Sequence, residues 1–423
     1  MPPETSQRGH VATFFANLGP GLITGAADDD PSGISTYSVA GASLGVAPLW
    51  TALFSFPLMV AVQLMCARLG MVTGRGLGGN IRRHFPRWVM WSSCFLLLVA
   101  NIFNIGADLS GMADATQMVT GIPQALSSPL FAVIIVAFVV FASYRTVAKI
   151  FKWLTLVLFS YVITAFIVHP AWKTVLYATL VPTFHWTRDY FAVLTGILGT
   201  TISPYLFFWQ SSQEVEEDRL HGRTSVAQRQ GATDEELATS RTDVVTGMFF
   251  SNMVMYFIIL TTATTLNAHG LKNIETARQA AEALRPLAGD GAYLLFALGI
   301  IGTGMLAIPV LAGSSAYAVA ESALWSGASL DRKPSLARGF YGVLAAAVAV
   351  GLSLDFAGFN SVKMMFWSAV LNGILAPPLI VLVLLLTSRR NVMGERKNSL
   401  GIRILGWSCA ALMTISAAGV FVA

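Results

Sequence analysis

Apolar residues run along the chain in long blocks, and the polar residues collect mainly between them. Taking about 20 apolar residues per bilayer crossing, the pattern predicts eleven spanning segments, near residues 14–43, 48–69, 88–112, 129–144, 151–169, 191–216, 242–266, 290–324, 336–354, 361–387 and 401–421. Two of them are interrupted. In the first, Gly19 to Tyr37 reads GPGLITGAADDDPSGISTY, which places Asp28, Asp29 and Asp30 inside an otherwise apolar stretch, with Pro31 and Gly33 close behind. Pro31 removes a backbone donor and Gly33 adds a flexible joint, so the helix is expected to end near Ala27 and restart near Ile34. An ionised Asp at mid-span disfavours insertion by about 2.5–3.5 kcal/mol. Irregular backbone at that depth is tolerated only beside protein or water, so the break is expected to line an ion pathway.

The second interruption lies in the sixth segment. Leu198 to Gln213 reads LGTTISPYLFFWQSSQ, with Pro204 in mid-span behind Gly199, Thr200, Thr201 and Ser203. Segment six follows segment one by five helices and crosses in the opposite sense, the relation expected of an inverted repeat of five plus five. Interrupted segments at corresponding places in two halves point to a transport site near the midplane. The predicted fold is an all-α polytopic membrane protein on a LeuT-like plan. It forms one transporter domain over residues 1–423, with repeat one about 14–169, repeat two about 191–387 and an extra helix at 401–421.

Composition supports this class: of 423 residues 55% are hydrophobic and 12% charged, and the mean hydropathy is +0.64, more apolar surface than a soluble core uses. The net charge of +5 reflects topology rather than a nucleic-acid partner, because the basic residues sit in loops without interleaved aromatics. With the N-terminus cytoplasmic, 21 of the 27 Lys and Arg residues fall on the inner side, clustered at 68–87, 145–152, 219–241, 332–338 and 389–403. The positive-inside rule then predicts a plasma-membrane protein with its N-terminus inside and its C-terminus outside. The opening MPPETSQRGH has no signal-peptide pattern. Cys66, Cys94 and Cys409 are too widely spaced to suggest disulfides or zinc and read as buried, inert thiols. Val72–Phe85 and Glu275–Leu287 read as amphipathic surface helices, Glu216–Arg241 as a mobile cytoplasmic loop, and Trp88, Trp91, Trp172 and Trp407 as interface markers.

The two interrupted stretches resemble the NRAMP family of divalent-metal transporters. That family's first helix carries Gly-Pro-Gly, about eight residues, then Asp-Pro-Gly-Asn; here Gly19-Pro20-Gly21 leads to Asp30-Pro31-Ser32-Gly33, with Gly33 at the Asn position. The family's sixth-helix Gly-Ala-Thr-Val-Met-Pro-His stands against Gly199-Thr200-Thr201-Ile202-Ser203-Pro204-Tyr205, so Ser203 replaces Met and Tyr205 replaces His. Further likeness runs through Ala107–Gly111, Gly121–Pro123, Leu295–Gly299 and Leu311–Gly313 and covers nearly the whole chain. The substitutions suggest a divergent branch of the family, similar to the NRAMP-related magnesium transporters, rather than a typical manganese and iron importer. The resemblance implies alternating-access transport of a divalent cation.

Asp30 is the leading candidate ligand, a carboxylate at a helix break beside carbonyls that Pro31 frees and near the negative end of the first half-helix. Asp28, Asp29 and Asp30 cannot all point at one ion, since successive helical residues diverge by about 100°; Asp28 and Asp29 are each either a direct or water-mediated ligand or bound to a neighbouring helix's polar group. Ser203 bears on the choice of metal: a thioether suits later transition metals, whereas oxygen donors suit Mg²⁺, Ca²⁺ or Mn²⁺. Gly33 and Ser203 are also smaller than Asn and Met and leave space for the waters that Mg²⁺ retains; packing residues in a pocket that still carries Mn²⁺ or Fe²⁺ is the other reading. The candidate metal site comprises Asp30, Gly33, Ser203, Tyr205, Asp28, Asp29, Ala27, Ile202 and Asn372.

A candidate pathway adds Asn104, Asp108, Gln210 and Glu214. Asn101, Asn104 and Asp108 share one face of the third segment, and the asparagines either make interhelical hydrogen bonds or serve transport. Asp108 occupies the place of a family glutamate, while Ile105 stands where typical members have a second acidic residue. With Tyr205, whose phenol has an ordinary pKa of about 10, this places proton coupling in question. Gln210, Glu214 and Glu217 form either a solvated face paired with residues such as Arg219 or a cation exit. No cofactor is expected beyond the transported ion, and no partner beyond that ion and the bilayer. A sodium-coupled solute carrier fits less well because the aspartates would repel a substrate carboxylate. An intramembrane enzyme lacks any accompanying HExxH or GxSxG.

Overall fold

The computed structural model describes residues 19–141, 156–325, 329–330 and 332–422. The principal helices are α1 (Pro20–Asp28), α2 (Pro31–Leu44), α3 (Trp50–Thr73), α4 (Leu77–His84), α5 (Arg87–Thr120), α6 (Gln124–Phe141), α7 (Phe159–Ile167), α8 (Trp172–Leu180), α9 (Arg188–Thr201), α10 (Pro204–Leu220), α11 (Asp234–Thr265), α12 (Ala292–Ala323), α13 (Arg338–Asp355), α14 (Ser361–Ser388) and α15 (Leu400–Val422). Nine segments among the described residues are long and apolar enough to cross a bilayer. With the broken pair α1–α2 and the shorter apolar α7, they occupy the eleven predicted positions. Residues 14–18, 142–144 and 151–155 of the predicted segments lie outside the described residues, as do Arg8, Arg145, Lys149 and Lys152.

Both interruptions fall where the sequence places them, and for the same reason. Pro31 and Pro204 each stand at the first helical position of a new half-helix, where the missing N–H would have had no partner and the fixed φ suits the start of a helix. The half-helices are central. Every residue of α9 from Tyr190 to Thr201 is buried, and so are most of those in α2; α2 packs among α5, α9, α11 and α14. α12 lies along α5, α11 along α1 and α2, and α14 along α9 and α15. The periphery is apolar and exposed, for example Leu130 and Val133 on α6 and Ile163 on α7, as a lipid-facing surface requires. Trp88, Trp91, Trp172 and Trp407 are also exposed, and the three cysteines are free and buried.

Several expectations need correction. Glu216–Arg241 is not a mobile loop: α10 continues to Leu220, Val226–Arg229 forms a capped turn, and α11 begins at Asp234 behind a Thr233–Glu236 capping box. Buried Arg229 ties this segment down by donating to the carbonyls of Gly74, Arg223 and Thr224. α5 and α11, with 34 and 32 residues, are about 50 Å long at 1.5 Å per residue and overrun the predicted spans because their polar ends extend past the hydrocarbon. The amphipathic stretch Val72–Phe85 contains α4, but that helix packs on α12 and α5 rather than on loops. Glu275–Leu287 forms short turns whose Ala277, Ala280, Ala281 and Leu284 are buried. α8 was not anticipated.

The broken first helix is held by backbone-to-backbone approach. A Cβ at Gly25 would come 2.3 Å from the Gly247 carbonyl oxygen, and one at Gly247 would come 2.2 Å from the Gly21 carbonyl oxygen. This is a small-xxx-small contact of the kind that membrane helices use when there is no hydrophobic drive between them. Gly25→Ala should therefore lower stability by about 1–3 kcal/mol through overpacking, whereas Gly342→Ala, where nothing lies within 4 Å, should be neutral. Thermal unfolding of both variants in detergent checks this; equal stability would mean that α1 and α11 do not meet at these glycines.

Candidate metal transport site

The first break is shaped by its own carboxylate. Asp30 is the N-cap of α2, and its Oδ1 accepts from the Gly33 backbone N–H at 2.6 Å. Its Oδ2 accepts from Asn104 Nδ2 at 2.7 Å. Each oxygen thus has one protein donor and keeps a lone pair. The space above Gly33 is tight, since a Cβ there would lie 3.1 Å from Asp30 Oδ1 and 3.4 Å from the Asp28 carbonyl oxygen. Glycine at this position brings backbone and carboxylate oxygens close together without adding a side-chain ligand.

The two breaks touch. The Tyr205 hydroxyl on α10 donates to the Ala27 carbonyl at 2.9 Å, satisfying one oxygen freed at the end of α1. Tyr205 is fully buried. At the second break, Ile202 is the C-cap of α9 and Ser203 the N-cap of α10. The Ser203 hydroxyl is directed back at the carbonyls of Thr200 (2.6 Å) and Gly199 (2.8 Å). Its proton is committed to backbone, and its oxygen keeps a lone pair. The carbonyl ends of α1 and α9, negative by their dipoles, thus each lie at a break, and Tyr205 ties the two breaks together.

A buried polar network surrounds the break. Asn104 Oδ1 accepts from Ser368 on α14, whose hydroxyl also lies 3.3 Å from Ser32 Oγ. Ser32 donates to Asp108 Oδ1 from both its hydroxyl (2.7 Å) and its N–H (3.1 Å). Ser251 on α11 donates to Asp28 Oδ2 at 2.6 Å and lies 3.5 Å from Asp29 Oδ1. Asp28 and Asp29 are thereby turned toward α11, away from the Asn104 side where Asp30 points. Asp28 Oδ1, Asp108 Oδ2 and Asn372 Oδ1 are buried without a hydrogen-bond partner among the described residues. Asn372 lies one turn beyond Ser368 on the same face of α14. All three are acceptors, and a buried acceptor left unmet costs about 1–3 kcal/mol, so the region is short of positive charge. No group of three or more His, Cys, Asp or Glu among the described residues forms a ready-made metal cage.

Toward the end of α10 the arrangement differs from a solvated face. Gln210 and Glu214 are buried; Thr24 donates to Gln210 Oε1 (2.6 Å), and Glu214 Oε1 accepts from Gln210 (2.9 Å) and Ser240 (3.0 Å). Arg219 pairs with Glu216 rather than with Glu214. Asn101 takes the interhelical role, donating to Leu311 O, Ser314 and Ser315.

The sequence profile of the natural resistance-associated macrophage protein-like (Nramp) family matches residues 21–423. The chain belongs to the Nramp family. It is 25% identical over 421 residues to a divalent metal cation transporter, MntH, of Klebsiella pneumoniae strain 342, covering 97% of this chain and 94% of that one. It is 25% identical over 418 residues to the MntH of Deinococcus radiodurans, with 95% and 88% covered. In structure it is similar to the Eremococcus coleocola manganese transporter (TM-score 0.74, 18% identity, 97% of this chain and 87% of that one). It is also similar to Mhp1, a nucleobase-cation-symport-1 family transporter (TM-score 0.55, 14% identity, 95% and 92%). The named relatives are transporters rather than enzymes, and this Nramp chain is an integral membrane protein with a LeuT-like helical fold.

On this Nramp scaffold the structure adds residues that the sequence reading passed over: Thr24, Ser32, Ser251, Ser368 and Asp243. Asp243 carries the N-terminal end of α1: buried on α11, it accepts from the N–H groups of Gly21 (2.6 Å), Gly19 (2.9 Å) and Leu22 (3.1 Å). Its only sequence signal is an acidic residue near the start of a spanning segment, with its partners more than 200 residues away. Asp243→Ala should destabilise the protein by about 1–3 kcal/mol by leaving those donors unmet, and Asp243→Asn by less. A thermal-unfolding series in detergent measures this; an unaltered midpoint for Asp243→Ala would remove the cap from the account.

Proposed function

We propose that this protein transports divalent metal cations by alternating access, with Asp30 as the charged ligand and Ser203, Asn372 and the carbonyls of Ala27 and Ile202 as neutral oxygen donors. The observation that carries the reading is the capped, buried Asp30 carboxylate at the meeting of two helix breaks, among acceptor oxygens that have no donor. One charge and several neutral oxygens suit an ion that must leave again. The donor set is hard throughout and supports Mg²⁺ or Mn²⁺ rather than a thiophilic metal. Relatives that carry divalent metals or manganese support the ion class. The proposed setting is uptake across the plasma membrane with the N-terminus inside. A solute carrier recognising a carboxylate is disfavoured because the N-terminus of α2 is already capped by Asp30 and the buried carboxylates of Asp28, Asp29 and Asp30 beside it would repel a second anion.

Proton coupling has two readings. Ile105 and Tyr205 support transport without protons. The hydrogen-bonded connection from Asp30 through Asn104, Ser368 and Ser32 to Asp108 favours the alternative, a typical proton-coupled Mn²⁺ or Fe²⁺ importer. Proteoliposomes loaded with an internal pH dye separate them: metal-driven flux without acidification, and without response to an imposed pH gradient, is expected.

The ligand assignment is tested by Asp30→Asn. Asn can keep the cap on the Gly33 N–H but turns an amide NH₂ toward Asn104 Nδ2, so a loss of about 1–3 kcal/mol is expected, while saturable Mn²⁺ and Mg²⁺ flux is lost from the protein that folds. Normal flux from equal amounts of folded variant would make Asp30 a cap and nothing more. Ser203→Met supplies a thioether and should shift competition toward Mn²⁺ or Cd²⁺ over Mg²⁺; unchanged competition would remove Ser203 from the ion's surroundings.

A further inference from the structure

A groove of about 1200 Å³ runs between α3, α11 and α15, away from the ion site. Its wall is apolar over most of its length, with Phe56, Val60 and Leu64 on α3, Val245 on α11, and Ile402 and Leu405 on α15. The same three helices expose Phe54, Phe249 and Ile404, so the groove opens onto the lipid-facing surface. At one end the lining becomes basic, with Arg68, Arg241 and Arg396 against the single carboxylate of Glu395. Glu395 is already paired with Arg390, and Arg396 with Asp234. Arg241 is exposed and has no ion-pair partner among the described residues.

We propose that an anionic phospholipid occupies this groove, with an acyl chain along the apolar wall and its phosphate among Arg68, Arg241 and Arg396. Three observations select this occupant. The distance along α3 from Phe56 to Arg68 is about 18 Å at 1.5 Å per residue, close to the roughly 15 Å of one hydrocarbon leaflet, so the arginines stand at headgroup depth. The charge is complementary, since basic pockets between spanning helices hold acidic headgroups. The lateral opening admits a molecule from the bilayer, whereas a soluble anion would leave the apolar wall uncovered.

The position gives the lipid a role. Residues 237, 238, 240, 241, 242, 245 and 246 of α11 line the groove, Ser240 at its edge also donating to Glu214, while Asp243, Gly247 and Ser251 on the other side hold the N-terminus of α1, the backbone of α1, and Asp28. The helix braced by the lipid is the one that holds the first half-helix.

The test is native mass spectrometry of the full-length protein in detergent, with dioleoyl-phosphatidylglycerol, dioleoyl-phosphatidylcholine and glycerol 3-phosphate as probes. Phosphatidylglycerol should be retained over phosphatidylcholine. Arg241→Gln should weaken its retention about fivefold, the worth of one basic residue at an anionic surface, and Val60→Trp should displace it by filling the groove. Glycerol 3-phosphate should not compete. Equal retention of both lipids, or an Arg241→Gln variant that binds like the parent, overturns the proposal. Full competition by glycerol 3-phosphate with no effect of Val60→Trp would assign the arginines to a soluble anion instead. Lipid occupancy is read without any flux, so the result stands independently of the transported ion, and Arg241→Gln, at an exposed position, decides the matter if Val60→Trp does not fold.

Discussion

Everything in this protein depends on satisfying two sets of loose backbone ends in a place without water. Breaking a helix at membrane depth leaves N–H groups at the start of the new half and carbonyls at the end of the old one, and lipid can answer neither. The chain treats the two kinds of end differently. Pro31 and Pro204 remove one donor each, Asp30 takes the Gly33 N–H, and Asp243 takes three N–H groups at the far end of α1. The carbonyls are only partly answered, by Tyr205 at Ala27 and by Ser203 at Gly199 and Thr200. In the first broken helix the donors are thus met by fixed carboxylates, α10 starts without a side-chain cap, and at both breaks acceptors are left with capacity to spare. That asymmetry is what makes the site electronegative, before any ion is considered.

The same reasoning explains how Asp30 can cap a helix and still be available as the proposed ligand. As an N-cap it needs only one lone pair of one oxygen, and the Asn104 amide fixes the rotation of the carboxyl group through the other oxygen. A carboxylate held at two points presents its remaining lone pairs in a defined direction, the pre-organisation a binding site needs. Asp28 and Asp29 sit next in sequence but are turned toward Ser251 on α11. Three adjacent aspartates therefore serve two different helices, which eases the crowding of like charge.

Both breaks could be read in the sequence because Pro and Asp are costly in a membrane helix and declare themselves. Asn104 and Asp108 were legible through their shared helical face. What escaped were partners set by tertiary contact: Ser251 lies 223 residues from Asp28, and Ser368 lies 264 residues from Asn104, and a lone serine in an apolar segment has no period to mark it. Gln210 and Glu214 were found but read partly as a solvated face, because charge at a helix end looks the same in sequence whether Ser240 covers it or water does. Glu216–Arg241 failed for a related reason: its polarity suggested a loop, whereas two capping boxes and buried Arg229 give it regular structure.

α11 links the parts. One side of it answers Asp28 with Ser251, caps α1 with Asp243, meets Glu214 through Ser240 and admits the backbone of α1 at Gly247. A helix that holds the first break at one level and the N-terminal end of the same half-helix at another cannot shift without changing both. For alternating access this is an economical arrangement, since rigid-body movement of one element about a fixed site alters access without dismantling the ligands. The polar contacts between α1 and α11 are few and local, whereas the close glycine contacts run along the axis, so sliding or tilting breaks a small number of hydrogen bonds at a time. The half-helix α1 is short, is capped from outside itself, and joins α2 only through the unwound Asp29–Asp30 step, which makes it the element best placed to move.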